Sequence, residues 1–174
     1  MTVPGSLYIR SIEPSDSLEE LTALLHRAYA ALGALGFNYT AVDQSVATTR
    51  DRIADMECYL ALVGARMVGT LVLGRAGPRQ AGCEWYEQSG VCIIGQFGVD
   101  PASTRQGIGS RLLTFAEQRA SALGALEVAL DTAEGAGHLV ELYVKRGYRP
   151  VGQVQWEGKN YRSLVLSKTL TDSR

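Results

Sequence analysis

Apolar positions fall in blocks that alternate between strand spacing and helix spacing. Leu7, Ile9 and Ile12 lie in a short mixed segment that predicts a first strand. Pro14-Ser15-Asp16-Ser17 ends it, and Ser17 with Glu20 has the capping-box pattern of a helix start. Leu18, Leu21, Leu25 and Ala28 follow at helical spacing. Gly33, Gly36 and Asn38 predict a loop from Gly33 to Tyr39, and a second helix is expected from Asp43 or Ser45 to Asp55. Two apolar runs, Tyr59 to Val63 and Met67 to Leu73, flank Gly64-Ala65-Arg66 and predict a hairpin. Gly74 to Gly90 reads as a flexible loop, in which Trp85-Tyr86 suits a lid or an assembly contact. Val91 to Val99 is a strand ending at Asp100-Pro101. The rest alternates: a helix from Gly107 to Ala122, a strand from Leu126 to Leu130, and a helix from Gly137 to Arg146 capped by Gly147. A closing strand pair, Tyr148 to Gln155 and Tyr161 to Leu166, completes the chain. The order β-α-α-β-β-β-α-β-α-β-β predicts an α+β, or mixed α/β layer, fold.

Composition narrows this. The 174 residues fit one domain spanning 1–174, and 46% apolar with 20% charged residues is a folded composition. Seventeen Lys and Arg against 18 Asp and Glu leave a net charge of −1, which argues against a nucleic-acid partner. Cys58, Cys83 and Cys92 imply no disulfide framework and fit a reducing compartment. Met1 to Ser6 lacks the blocks of a signal peptide, and no apolar run approaches the roughly 18 residues of a bilayer span. A soluble cytoplasmic protein without membrane contact is expected. Glycine stands out: 19 residues, about 11% against an average of about 7%.

The most informative stretch runs from Gln96 to Leu113. A strand ends, a short loop follows, and Gly107-Ile108-Gly109 opens a helix. Helix N-termini carry unpaired amides and the positive dipole end, glycine admits close approach of an anion, and Arg105 adds charge. Arg105 to Ser110 therefore reads as a pyrophosphate cradle. Ser110-Arg111 stands where a Walker loop has Lys before Ser or Thr, and Leu112 stands where a dinucleotide fingerprint has its third glycine. By itself, Gly-x-Gly is equally a tight strand-to-helix turn.

Context extends the reading. Val99-Asp100-Pro101, then Gly107-Ile108-Gly109 with Leu112-Leu113, then Leu142-Tyr143-Val144-Lys145-Arg146-Gly147-Tyr148 resemble the GNAT superfamily of N-acetyltransferases. The likeness covers residues 96 to 148 in motif and nearly the whole chain in element order. There are two departures. Thr104 stands where the family has Gln or Arg, with Arg105 and Gln106 beside it. Ala136 stands near the family's helix Asn, whose contact is either absent or replaced by Asp131, Glu134 or His138.

The resemblance implies a central mixed, mostly antiparallel sheet flanked by helices and splayed between its fourth and fifth strands. It implies acetyl-CoA as cofactor, with Phe97, Gly98 and Val99 holding the pantetheine arm and Arg105, Gln106, Gly107, Ile108, Gly109 and Ser110 the pyrophosphate. It implies direct transfer to a primary amine of a small molecule or peptide, and it admits a homodimer. No metal is called for. Tyr143 matches the family's general acid, and a core role beside Leu139 is the competing reading. Gln96 lies where some relatives carry Glu and would orient substrate or water. Glu84, Glu87, His26 and His138 are further base candidates, and deprotonation through ordered water is favoured. Phe37, Asn38 and Tyr39, with Trp156 and Tyr161, suit the wall of a small acceptor pocket, against hairpin packing for the last two. The rival functions are a non-catalytic CoA-binding module on the same fold and a toxin acetylating aminoacyl-tRNA.

Overall fold

In the computed structural model, which describes residues 5–171, seven strands form one sheet in the order β1-β2-β3-β4-β5-β7-β6. The strands are β1 (Leu7–Ser11), β2 (Glu57–Val63), β3 (Arg66–Gly74), β4 (Val91–Val99), β5 (Glu127–Ala133), β6 (Arg149–Val154) and β7 (Ser163–Thr169). Every neighbouring pair is antiparallel except β4 and β5, which run parallel. The helices are α1 (Leu18–Ala34), α2 (Thr40–Asp43), α3 (Val46–Ala54), α4 (Ile108–Ala122) and α5 (Gly137–Lys145). The expected mixed-sheet architecture is therefore present. Of the amino-terminal segment Met1 to Ser6, residues 1 to 4 lie outside the described residues.

Strand β2 explains the apolar run that the sequence displays. Its alternate side chains point to opposite faces. Tyr59 and Ala61 join the core under α4 with Leu71, Ile94 and Leu112. Cys58, Leu60 and Leu62 join the core under α1 with Leu21, Leu24 and Leu25. A strand covered on both faces needs apolar residues at every position.

Three local details differ from expectation. Ser17 Oγ accepts from the Glu20 amide at 3.1 Å, but the Ser17 amide makes no bond to the Glu20 carboxylate among the described residues, so the reciprocal half of the capping box is not formed. Helix α1 continues through Gly33 to Ala34, and the chain turns at Gly36 with φ +95°. A Cβ on Gly33 would lie 2.9 Å from Val42 Cγ1, so this glycine serves close packing of α2 on α1 rather than a break. The single turn of α2 is too short to carry helical periodicity.

All three cysteines are free and buried. Burial pushes the Cys58 thiol up to about 11 and raises Cys83 and Cys92 as well. Thiolate is the reactive form. The native protein is expected to leave all three unmodified by an aromatic disulfide reagent at pH 8, with three equivalents reacting in denaturant. Prompt reaction of any one in the native state would contradict this packing.

Candidate active site

The site begins where β4 and β5 part. The two strands pair only through Val91–Glu127, Cys92–Val128 and Ile93–Ala129. Beyond Ile93 the β5-facing edge of β4 has no strand partner. On the other edge, β4 advances three residues from Gly95 to Gly98 while β3 advances two, from Val72 to Thr70. This bulge leaves Gln96 with φ +44°, a left-handed conformation that is strained for a residue with a side chain. Gln96 is only 5% exposed. Helix α1 packs tightly on the same stretch: a Cβ on Gly98 would lie 2.8 Å from Ala28 Cβ, and Tyr29 Oη donates to the Phe97 carbonyl at 2.8 Å.

The split opens into a cavity of about 950 Å³. Gln96, Phe97, Gly98 and Val99 line one side, and Tyr39, Tyr143, Trp156 and Tyr161 line others. Tyr39 is fixed by two bonds: its hydroxyl accepts from the Ala133 amide at 2.9 Å and meets Thr132 Oγ1 at 2.9 Å. Its ring packs on Tyr161 at 4.8 Å between centroids. Tyr143 is 7% exposed, packs edge-on against Tyr148, and makes no side-chain hydrogen bond among the described residues. Burial drives its pKa well above that of ordinary tyrosine, and Tyr29, Tyr39 and Asp131 add to the rise. The phenol is therefore protonated throughout the neutral range.

A buried polar relay supports the bulge. Gln44 Nε2 donates to Gln96 Oε1 at 2.8 Å and to Thr49 Oγ1 at 2.7 Å. Thr49 meets Thr22 at 2.7 Å, and Arg52 Nη1 donates to Gln44 Oε1 at 2.8 Å. The Gln44 carbonyl accepts from His26 Nε2 at 2.7 Å, which engages His26 in packing.

A second group lies opposite. Asp131 accepts from Tyr86 Oη at 2.7 Å and from Trp156 Nε1 at 2.9 Å, and the Tyr86 and Trp156 rings stack at 6.3 Å. Tyr86 is 2% exposed, so it is an anchor for the 74–90 segment rather than a lid surface. Glu84 and Glu87 are exposed and do not line the cavity.

The cradle lies beyond Val99. Asp100 accepts from the Ala102 amide at 3.0 Å and pairs with Arg27 and Arg66 at 3.1 and 3.4 Å. Thr104 Oγ1 donates to the Pro101 carbonyl, closing the turn. Arg105 and Gly107 have φ +68° and +70°, which curl the chain into α4. The first α4 bond runs from the Arg111 amide to the Gly107 carbonyl, so the amides of Ile108, Gly109 and Ser110 have no intrahelical acceptor. A Cβ on Gly107 would find no atom within 4 Å, so the space over the helix start is open. These features suit a diphosphate.

The sequence profile of the Acetyltransferase (GNAT) family matches residues 19–148. A curated relative, the S-(2-succino)cysteine N-acetyltransferase of Bacillus subtilis, is 30% identical over 154 residues, covering 87% of this chain and 90% of the relative. The chain belongs to the GNAT acetyltransferase family. It is thus an acyltransferase whose co-substrate is acetyl-CoA. Solved GNAT structures share the fold. One is an Elizabethkingia anophelis family member with acetyl-CoA bound, with a TM-score of 0.67, 18% identity, and coverage of 94% of this chain and 98% of that one. Another is the Escherichia coli ribosomal-protein-S18-alanine N-acetyltransferase, with a TM-score of 0.71, 14% identity and coverage of 97% of each chain.

Within this GNAT chain the residues singled out from sequence separate into groups. Gln96 to Val99, Tyr143, Tyr39, Trp156 and Tyr161 border one cavity. Arg105 to Ser110 form the adjoining helix entrance, where Arg146 Nη1 donates to Ser110 Oγ at 3.0 Å. Phe37 and Asn38 are not cavity-lining. Phe37 packs edge-on against Tyr39 and Tyr161. Asn38 fastens the β6–β7 turn, donating to the Gly158 carbonyl at 2.8 Å and accepting from the Asn160 amide at 2.9 Å. Ala136 is buried and gives α5 no side-chain cap. Glu134 accepts from Gln153, and His138 is exposed. Gln44, Arg52 and Tyr86 carry no local sequence signal for a site, because their meaning depends on partners 52, 8 and 45 residues away.

Asp100 gives a pH prediction. Burial alone would raise its carboxyl, but the Ala102 amide and the Arg27 and Arg66 guanidiniums outweigh burial and hold it below the ordinary range. A lowered folded pKa contributes stability above the unfolded value of about 3.9. That contribution is lost as pH falls through the folded value. Asp100→Asn is expected to lower the thermal midpoint at pH 7, with the gap to wild type narrowing below about pH 4. A gap that is constant across that range would contradict the pairing.

Proposed function

We propose that this protein transfers the acetyl group of acetyl-CoA to a primary amine of a small molecule or peptide, by direct attack. The observation that carries the reading is that one cavity is bordered by both the open edge of β4 at Gln96–Val99 and by Tyr143. Acetyl-CoA supplies an activated thioester and a thiol leaving group. The amides of Phe97 to Val99 and the first turn of α4 would hold it. Tyr143 would give its proton to the departing sulfur. A phenol raised by burial is a weak acid, but the same dry surroundings raise a thiol from its reference of about 8.5. Gln96, whose Oε1 is taken by Gln44, keeps its amide N–H groups for orienting substrate or water. The attacking amine must be neutral, and its proton leaves through ordered water. The relative named above acts on a substituted cysteine, which supports an amino-acid-like small amine here. The proposal includes a single domain spanning 1–174, a cytoplasmic location in which the three cysteines stay reduced, and a homodimer to be read from the mass in solution.

The test is purified protein with acetyl-CoA and a panel of primary amines. Amine-dependent release of CoA thiol is expected. A thermal shift with CoA but no thiol release from any amine would favour a non-catalytic CoA-binding module.

A further inference from the structure

We propose that the acceptor amine carries a carboxylate, and that Arg52 is the residue that binds it. This rests on the acetyl-transfer reading and names its substrate class.

Arg52 lines the cavity and is half-buried. It has no ion-pair partner among the described residues. Its one side-chain bond is Nη1 to Gln44 Oε1. That bond has a fixed sense: Gln44 Nε2 donates to Thr49 and Gln96, so Oε1 is the end turned to Arg52. The relay that holds the β4 bulge therefore also aims the guanidinium, leaving Nε and Nη2 without a protein acceptor among the described residues. Burial holds Arg52 below the ordinary arginine value. Nearby Tyr29, Asp131 and Tyr161 raise it, while Arg79 lowers it further.

The rest of the wall does not neutralise this charge. Arg79 and Lys159 also line the cavity, and among the described residues Lys159 Nζ donates only to the Asn38 carbonyl. The lining carboxylates are Asp131 and Glu157. Asp131 already accepts one hydrogen bond on each oxygen, and Glu157 is exposed at the rim. Three cations thus stand against two acids. A half-buried guanidinium without an anion is a costly arrangement, and a ligand carboxylate supplies the missing partner in the planar two-bond geometry that Arg favours. An amino acid meets this description: its carboxylate is fixed by Arg52 before its amine loses the proton and attacks.

The test compares free L-amino acids, S-(2-succino)cysteine included, with their carboxamide counterparts. Wild-type kcat/KM is expected to favour acids over matching amides by about a hundredfold or more, because a carboxamide replaces the charge-assisted two-bond contact to Arg52 with one neutral acceptor. Arg52→Gln, whose amide can still donate to Gln44, should reduce that ratio to a few-fold. It should act mainly through acceptor KM, leave acetyl-CoA KM unchanged, and weaken acid binding to the enzyme–CoA complex in calorimetry at least tenfold. Arg52→Lys should recover part of the preference. Equal rates for acids and amides in the wild type, or a preference that survives Arg52→Gln, would overturn the assignment while leaving acetyl transfer intact. Failure of every acid and every amide to release CoA thiol, while other primary amines do so, would overturn this assignment alone; failure of the whole amine panel would overturn acetyl transfer and this assignment with it.

Discussion

Replacing Tyr143 with Phe is expected to lower kcat by about a hundredfold or more, the usual contribution of a positioned proton donor. The affinity for acetyl-CoA should hardly change. The substitution removes one oxygen and keeps the ring, so the edge-on packing against Tyr148 at 5.8 Å survives. That oxygen has no hydrogen-bond partner among the described residues, so its loss orphans no neighbour. Because burial raises the Tyr143 phenol far above its ordinary value, the wild-type rate should show no alkaline fall due to Tyr143 below pH 10. Steady-state kinetics with acetyl-CoA and an active amine measure both effects. Unchanged turnover in Tyr143→Phe would remove this residue from the mechanism and leave it as packing beside Leu139.

Gly107→Val is expected to act on the other half of the reaction. It should raise the dissociation constant for acetyl-CoA tenfold or more. Gly107 has φ +70° and open space where its Cβ would be. A β-branched residue there costs about 1–2 kcal/mol of backbone strain and fills the volume over the α4 amides. Gly107→Asn separates the two causes, since Asn tolerates the left-handed region. It should keep stability near wild type and still weaken binding. Titration calorimetry with acetyl-CoA and thermal melts of both variants give the comparison. A wild-type dissociation constant in Gly107→Val would refute the cradle at residues 105–110.

The elements visible in sequence were those whose burial imposes a period. Leu18, Leu21 and Leu25 mark α1, and the unbroken Tyr59 to Val63 run marks a strand covered on both faces. Gly107 and Gly147 were legible because positive φ selects glycine at these positions. The short turn of α2 left no periodic trace. The 74–90 segment reads as loose because its turn residues are local, whereas Tyr86 is held by Asp131, 45 residues on. Gln44 and Arg52 look like ordinary polar positions flanking or within a helix. Only the tertiary approach of α3 to the β4 bulge makes them part of the cavity wall. Asn38 has the reverse history. An amide between two aromatics suggests a ligand contact, yet its hydrogen bonds go to Gly158 and Asn160 across the β6–β7 turn.

The most direct test of acetyl transfer by direct attack is mass spectrometry of both protein and small molecules after a single turnover. Enzyme in excess over acetyl-CoA and amine should give one N-acetylated amine for each CoA released, and the enzyme mass should stay unchanged at every quench time. An acetylated enzyme that forms with acetyl-CoA alone and disappears on adding amine would contradict direct attack. CoA release without an acetylated amine would contradict N-acetyl transfer itself.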